Sequence, residues 1–314
     1  MIWARGKKVI VVFGSINMDL VTKTARLPVP GETLLGQSFF TAPGGKGANQ
    51  AVAIARLGVT TKMVGRVGGD GFGSELLASL VCAGVNTDSV LVNRSVSSGV
   101  AAIAVDDAGE NQIIIVPGAN GRVDQTDVER LHNLLPGCAA LLLQFEIPID
   151  AVISAAQAAK LAGVKVILDP APARIDIPDE LYSLVDIITP NETEAQQLVG
   201  FAVNDANTAA SAADILLQRG VGSAIIKLGA KGVYCATIAE TFFVPAFSVT
   251  VVDTVAAGDA FNGGLATALV EGRTLREAVV WGAAAGALTA TKTGAQSAIP
   301  DRETLNAFLQ ERRI

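Results

Sequence analysis

Short apolar runs alternate with longer stretches of helical period through most of the chain. VIVVFG near the start predicts a buried strand, and KGANQAVAIARLG predicts a helix ended by Gly58. TKMVGRVG and FGSELLASLVCAG repeat the pair, the helix ending at Gly84. Further on come ALLLQFE with IDAVISAAQAAKLAG, VKVILDP with a loop, and VDIITP with ETEAQQLVG. A helix at 207–219 then leads into SAIIKLG. Strands alternating with helices at this spacing are βαβ units, which build a mostly parallel, doubly wound sheet with helices on both faces. The expected fold class is therefore α/β, read as one domain over residues 1–314.

Two stretches interrupt the alternation. Residues 18–41 place Pro28, Pro30 and Gly31 between short β-like pieces, and residues 97–116 read as a hairpin turning at DDAGEN. They form either a small second sheet over the main one or extra edge strands of it. The hairpin is apolar on both faces, so something should cover at least one of them, and a second subunit would serve.

Composition narrows the class. Half the residues are hydrophobic and only 5% aromatic, with 32 glycines, which suits tightly packed helix-on-sheet layers. The net charge of −6 and the absence of clustered Lys and Arg argue against nucleic acid. No apolar segment is long enough to span a membrane, and the run behind the basic start, VIVVF, is too short for a signal sequence; a cytoplasmic protein is expected. Cys82, Cys138 and Cys235 are scattered, which excludes a disulfide framework or a Cys-x-x-Cys metal site. The only histidine, His132, lies in the helical pattern VERLHNLL and reads as a solvated helix position, so a Ser-His-Asp triad would need another histidine.

The chemistry concentrates in VVDTVAAGDAFNGG at 251–264. A strand ends, tiny residues turn the chain, and a helix begins with Asp259 in its first turn. Free amides and the helix dipole would stabilise an anion there and hold an aspartate pKa low, and such a carboxylate could still take a hydroxyl proton late in a loose phosphoryl transfer. An ordinary capping acid fits the same pattern. GGKGAN fails the Walker A pattern, and GGDGFG fails the dinucleotide fingerprint.

Together, GGKGANQAVAIARLG and VVDTVAAGDAFNGG resemble the two signatures of the ribokinase family of sugar kinases. GSINMD, PGET, LLLQFEIP, DPAPA, DIITPNETEA, LGAKGV and GAQSAIP resemble that family in the same order over nearly the whole chain. The resemblance implies a doubly wound domain with a β lid made from the two insertions, and the hairpin's two apolar faces lead us to expect a homodimer through that lid. It also implies MgATP-dependent phosphorylation of the ribose 5-hydroxyl; related acceptors (deoxyribose, fructose, a nucleoside) or a non-catalytic sensor are the alternatives. It makes Asp259 the base, with an anion hole from the amides of Ala257 and Gly258 in the turn that begins at Ala256. Asn17, Asp19, Gly45, Lys46, Gly47, Asn49 and Glu146 would hold the sugar. Asn17 and Asp19, two residues apart after the first strand, can grip vicinal hydroxyls, and Glu146 ends the strand ALLLQFE.

For the nucleotide the resemblance implies Asn191, Lys227, Leu228, Gly229, Ala230, Lys231, Gly232, Gly258 and Ala283, with Glu194 acting on Mg²⁺ through water. Asn191 and Glu194 also have the spacing of a helix cap. An activating K⁺ would sit at Asp253, Val255, Thr289, Lys292, Gly294 and Ala298. Three positions depart from the family pattern: Ala283 replaces Asn or His near the adenine, Lys227 a common Thr, and Ala298 a common Ser.

Overall fold

The computed structural model describes residues 9–312; the basic start of the chain lies outside them. The strands run in chain order from β1 (Val9–Phe13), β2 (Asn17–Lys23), β3 (Ser38–Gly44) and β4 (Thr60–Gly68) to β5 (Val85–Asn93), β6 (Gly99–Val105) and β7 (Asn111–Val116). They continue with β8 (Cys138–Leu143), β9 (Lys165–Leu168), β10 (Ile187–Ile188), β11 (Ser223–Lys227), β12 (Gly232–Thr237) and β13 (Thr241–Pro245).

Nine strands form one sheet in the order β13-β12-β11-β10-β9-β8-β1-β4-β5. From β11 to β5 every pairing is parallel, and β12 and β13 add an antiparallel edge. The central strands VIVVF and CAALLL are apolar throughout because helices cover both faces, and two hydrophobic clusters fill the two sides. From β1 the chain winds one way through β4 and β5, and from β8 the other way through β9, β10 and β11. The switch point therefore lies between β1 and β8, where the loops at the carboxyl ends diverge and leave a crevice.

The two insertions build a separate sheet ordered β3-β2-β6-β7, so they are not edge strands of the main one. Every residue of β7 is exposed, Ile114 by 68%, so the outer part of this lid is an uncovered apolar face. The lid grows directly from the crevice. Asn17 opens β2 and pairs with Gly44 of β3 and Gly99 of β6.

Three expectations need correction. The strand predicted from VDIITP shrinks to the two residues of β10. The strand expected before the AAGD turn is absent: residues 246–252 have no regular structure and Val251 and Val252 face solvent, so the expected cation ligands Asp253 and Val255 lie in a loop. Glu146 does not end a strand, because β8 stops at Leu143 and Glu146 follows in the loop.

Candidate active site

Helix Ala257–Val270 begins beneath the crevice. Its N-cap, Ala256, takes φ 59°, the left-handed region that alanine enters at a cost of roughly 1–2 kcal/mol. This turn lets the Ala257 amide donate to the Thr254 carbonyl at 3.2 Å. The expected pair of anion-binding amides is thereby reduced: Ala257 closes the turn, and Gly258 is left at the open end of the helix, where first-turn amides lack intrahelical acceptors.

Asp259 is 5% exposed. Its Oδ2 accepts from Asn49 Nδ2 at 2.9 Å and its Oδ1 from Gln50 Nε2 at 3.2 Å, both donors coming from helix Lys46–Arg56. The sequence predicts a depressed pKa here, and the structure reverses that expectation. Burial, reinforced by the negative charge of Asp169, lifts Asp259 to about 6 against the opposing pull of Lys46, Asn49 and Gln50. A base poised near neutrality is better matched to proton transfer than a strongly acidic one. Asn49 Oδ1 is buried with no hydrogen-bond partner among the described residues.

The residues expected to hold the sugar converge at the switch point. Glu146 Oε2 accepts from Ser15 Oγ at 2.5 Å, from the Lys46 amide at 3.1 Å and from Asn17 Nδ2 at 3.3 Å. Gly45 caps the helix with φ 88°, and a Cβ there would stand 2.7 Å from the Asn17 amide, so only glycine lets the two strands of backbone meet. Gly47 serves packing, its amide donating to Ser15 Oγ at 3.3 Å. Asp19 rises to about 7, through burial first and then the charges of Glu146 and Asp259. Burial disfavours the Lys46 ammonium, but Asp259, Asp169, Glu146 and Glu194 outweigh it and raise its pKa.

On the other side of the base, Asn191 and Glu194 form a complete capping box, the Glu194 amide donating to Asn191 Oδ1 at 2.9 Å and the Asn191 amide to Glu194 Oε2 at 2.8 Å. Glu194 is buried, and burial and Asp169 raise its pKa. No cluster of three or more acidic, His or Cys side chains that could hold a metal occurs among the described residues. A buried carboxylate without companion ligands fits Mg²⁺ held through water and phosphate, not a closed protein cage. Lys227, Leu228, Gly229, Ala230, Lys231 and Gly232 form the turn from β11 to β12, closed by the Leu228 amide on the Gly232 carbonyl at 2.8 Å. Lys231 is tied to the Asn204 carbonyl. Ala283 lies half-buried in helix Leu275–Thr289, packed against the core.

The expected cation positions also gather. Asp253 Oδ2 accepts from the Gly294 amide at 2.9 Å and Oδ1 from the Val255 amide at 3.0 Å. Thr289 and Lys292 are joined by a backbone hydrogen bond of 3.2 Å, and Ala298 is buried in the short turn Gln296–Ala298.

Three residues of the site are not among those predicted. Gln50 Nε2 bridges Asp259 and Asp169 Oδ2, the latter at 3.0 Å, and Gln50 Oε1 accepts from Gln144 at 2.7 Å. Asp169 lies just past β9, at the carboxyl end of a parallel strand, a position that α/β topology marks for ligands. Asn120 holds Asn17, donating to its Oδ1 at 2.7 Å while fixed to the Ile16 backbone on both sides.

A doubly wound sheet with a buried, near-neutral carboxylate at a helix N-terminus, roofed by a β lid rooted in the same crevice, defines an enzyme that acts on a small hydroxylated substrate. The pfkB family of carbohydrate kinases matches residues 7–302, and the chain belongs to it. A ribokinase from Haemophilus influenzae is 43% identical over 304 residues, covering 97% of this chain and 99% of its own length. A deoxyribokinase from Salmonella typhi is 37% identical over 300 residues, covering 96% and 98%. The structure of Arabidopsis thaliana ribokinase complexed with ribose and ATP superposes with a TM-score of 0.87 at 36% identity, covering 96% of this chain and 98% of the other. Among the described residues no helix is long and apolar enough to cross a membrane.

Proposed function

We propose that this chain is an ATP-dependent ribokinase that converts D-ribose to ribose 5-phosphate and works in the cytoplasm, where ATP is supplied. The observation that carries this reading is Asp259: a buried carboxylate near neutrality, beside the unpartnered Asn49 Oδ1 and one residue from Gly258 at the helix N-terminus. Asp259 takes the proton of the 5-hydroxyl. The hydroxyl oxygen forms a bond to the γ-phosphorus, the bond from that phosphorus to the β,γ-bridging oxygen breaks, and ADP leaves with the electron pair. Asn17, Asp19, Gly45, Lys46, Asn49 and Glu146 orient the sugar, and the Gly258 amide faces the developing charge. Asn191, Glu194 and the 227–232 turn serve the nucleotide, with Mg²⁺ neutralising phosphate charge when bound.

The likeness to a deoxyribokinase favours deoxyribose as the second acceptor. A coupled ADP-release assay over a sugar panel separates the two: D-ribose is expected to show the highest kcat/KM, and a chain active on deoxyribose but silent on ribose would overturn the assignment.

K⁺ activation belongs to the same reading. The loop that enters the AAGD turn is pinned to the 289–294 segment through Asp253, so a cation held by carbonyl oxygens of Asp253, Val255, Thr289, Lys292 and Gly294 would steady the anion hole. Ala298 offers no hydroxyl. Initial rates should rise with KCl at fixed ionic strength balanced by a large organic cation, and Ala298→Ser should lower the half-saturating concentration. A flat response in the native chain would remove the ion from the reaction.

The lid supports a dimer. Ile113, Ile114, Ile115, Val116 and Phe39 leave its outer sheet apolar and open, an arrangement that a second lid would cover. Light scattering should give a dimer for the native chain and a monomer for Ile114→Lys; a native monomer at assay concentrations would refute the pairing.

A further inference from the structure

Lys227 stands where the nucleotide-side segments meet. Its amide donates to the Pro190 carbonyl at 2.8 Å, which sets it beside the Asn191–Glu194 cap. Its Nζ donates to Asp169 Oδ1 at 3.0 Å and lies 6.0 Å from the centre of the Phe261 ring. The same Nζ is 3.4 Å from the point where a Cβ on Gly258 would stand. The side chain keeps 13% exposure, and Gly258 is itself only half-buried, so the ammonium reaches the open end of the helix.

Neutralising Asp169 does not by itself account for this placement. A buried ion pair is often no more stabilising than well-packed apolar side chains of the same volume. Asp169 already accepts from Gln50 on its other oxygen. Among the described residues, five carboxylates (Asp19, Glu146, Asp169, Glu194 and Asp259) surround the site against the two ammonium groups of Lys46 and Lys227, and a triphosphate adds more negative charge. Lys46 belongs to the sugar side, its amide bound to Glu146. Lys227 is the cation between the nucleotide cap and the anion hole.

We propose that Lys227 is a catalytic residue whose ammonium, held by Asp169 in the free enzyme, contacts the β,γ end of the ATP triphosphate beside Gly258 and stabilises the charge that develops there during transfer. This rests on the kinase reading above. A fixed cation aimed at developing charge acts without reorganisation at the moment of reaction, and removing one such group typically costs ~10²–10³-fold in turnover.

The test uses the full chain with Mg²⁺ and compares Lys227→Met, Lys227→Arg and the double variant Lys227→Met/Asp169→Asn. Calorimetry measures binding of a β,γ-imido ATP analogue and of AMP, alongside kcat and thermal midpoint. Lys227→Met should weaken the imido analogue about tenfold, the value of one charge-assisted contact, and leave AMP unchanged. Its kcat should fall ~10²-fold or more, with Lys227→Arg recovering part of both losses. The double variant carries no unpaired buried charge, so it should fold as the native chain does while keeping the defect in analogue binding and kcat. If the single variant fails to fold, the double variant decides. Equal effects on the analogue and AMP, or native turnover in the double variant, would show that Lys227 only neutralises Asp169. A native chain that binds the analogue no better than AMP would overturn the proposal as well. The sugar assignment fails separately, through an inactive sugar panel with analogue binding intact.

Discussion

Asp259→Asn should lower turnover by ~10²-fold or more while leaving ribose binding largely in place. The substitution keeps the volume of the side chain and removes only its capacity to take a proton. Its fit can be argued atom by atom. Asp259 accepts from the amide groups of both Asn49 and Gln50, whereas an asparagine can accept from one and must donate toward the other. Asn49 has an unused buried oxygen, so rotating its amide by half a turn supplies the needed acceptor and turns its N–H toward the sugar, where a hydroxyl oxygen can accept it. The variant should therefore fold, bind ribose by calorimetry and bind MgATP. The residual rate comes from alignment of the substrates and the helix N-terminus, which the substitution leaves intact. Near-normal turnover would remove Asp259 from its role as base.

Asp19→Asn should raise the KM for ribose by about 100-fold, the loss of two hydrogen bonds from hydroxyls to a charged acceptor. The pH profile supplies the mechanism. Asp19 titrates at about 7 and Asp259 at about 6 in the free site, both raised chiefly by burial. Both must be ionised, the first to accept from the sugar and the second to take its proton. The plot of log kcat/KM should therefore be flat above neutrality, fall with unit slope from about pH 7 toward 6, and steepen below 6. Sugar binding to the ionised form pulls the Asp19 step downward, so kcat at saturating ribose should retain only the lower transition. Asp19→Asn should erase the upper step from kcat/KM. A profile flat down to pH 5, or an upper step unchanged in Asp19→Asn, would separate these carboxylates from the rate.

Much of this site can be read from single segments. AAGD is legible because a run of tiny residues before an acid is a local pattern, and the Asn191–Glu194 cap is legible for the same reason. Gln50 and Asp169 are not: they meet each other across 119 residues of chain, once β9 lies beside β8, β8 beside β1, and helix Lys46–Arg56 packs on the sheet. Asn120 is hidden likewise, since it meets Asn17 only after the lid has folded back on β2. The direction of the Asp259 shift needs the whole packing, because the helix dipole is present in the sequence pattern and the burial that outweighs it is not. The apolar residues before AAGD mislead for the opposite reason: Val251 and Val252 have strand chemistry but no neighbouring strand to pair with, so they remain exposed.

The lid strands meet the crevice at Asn17 and Asp19, the β2 residues proposed to grip the sugar, beside Gly44 at the end of β3. Two of the proposed acceptor contacts, Asn17 and Asp19, thus travel with the lid, while Lys46, Asn49, Glu146, Asp259 and the nucleotide side travel with the nine-stranded sheet and its helices. The two can drift at different speeds. A lineage that acquires a new acceptor can do so by remodelling four strands at one rim of the crevice, leaving the phosphoryl-transfer apparatus under unchanged selection. Swapping the lid between two such proteins should carry across the share of acceptor preference set by Asn17 and Asp19, the remainder staying with the larger domain.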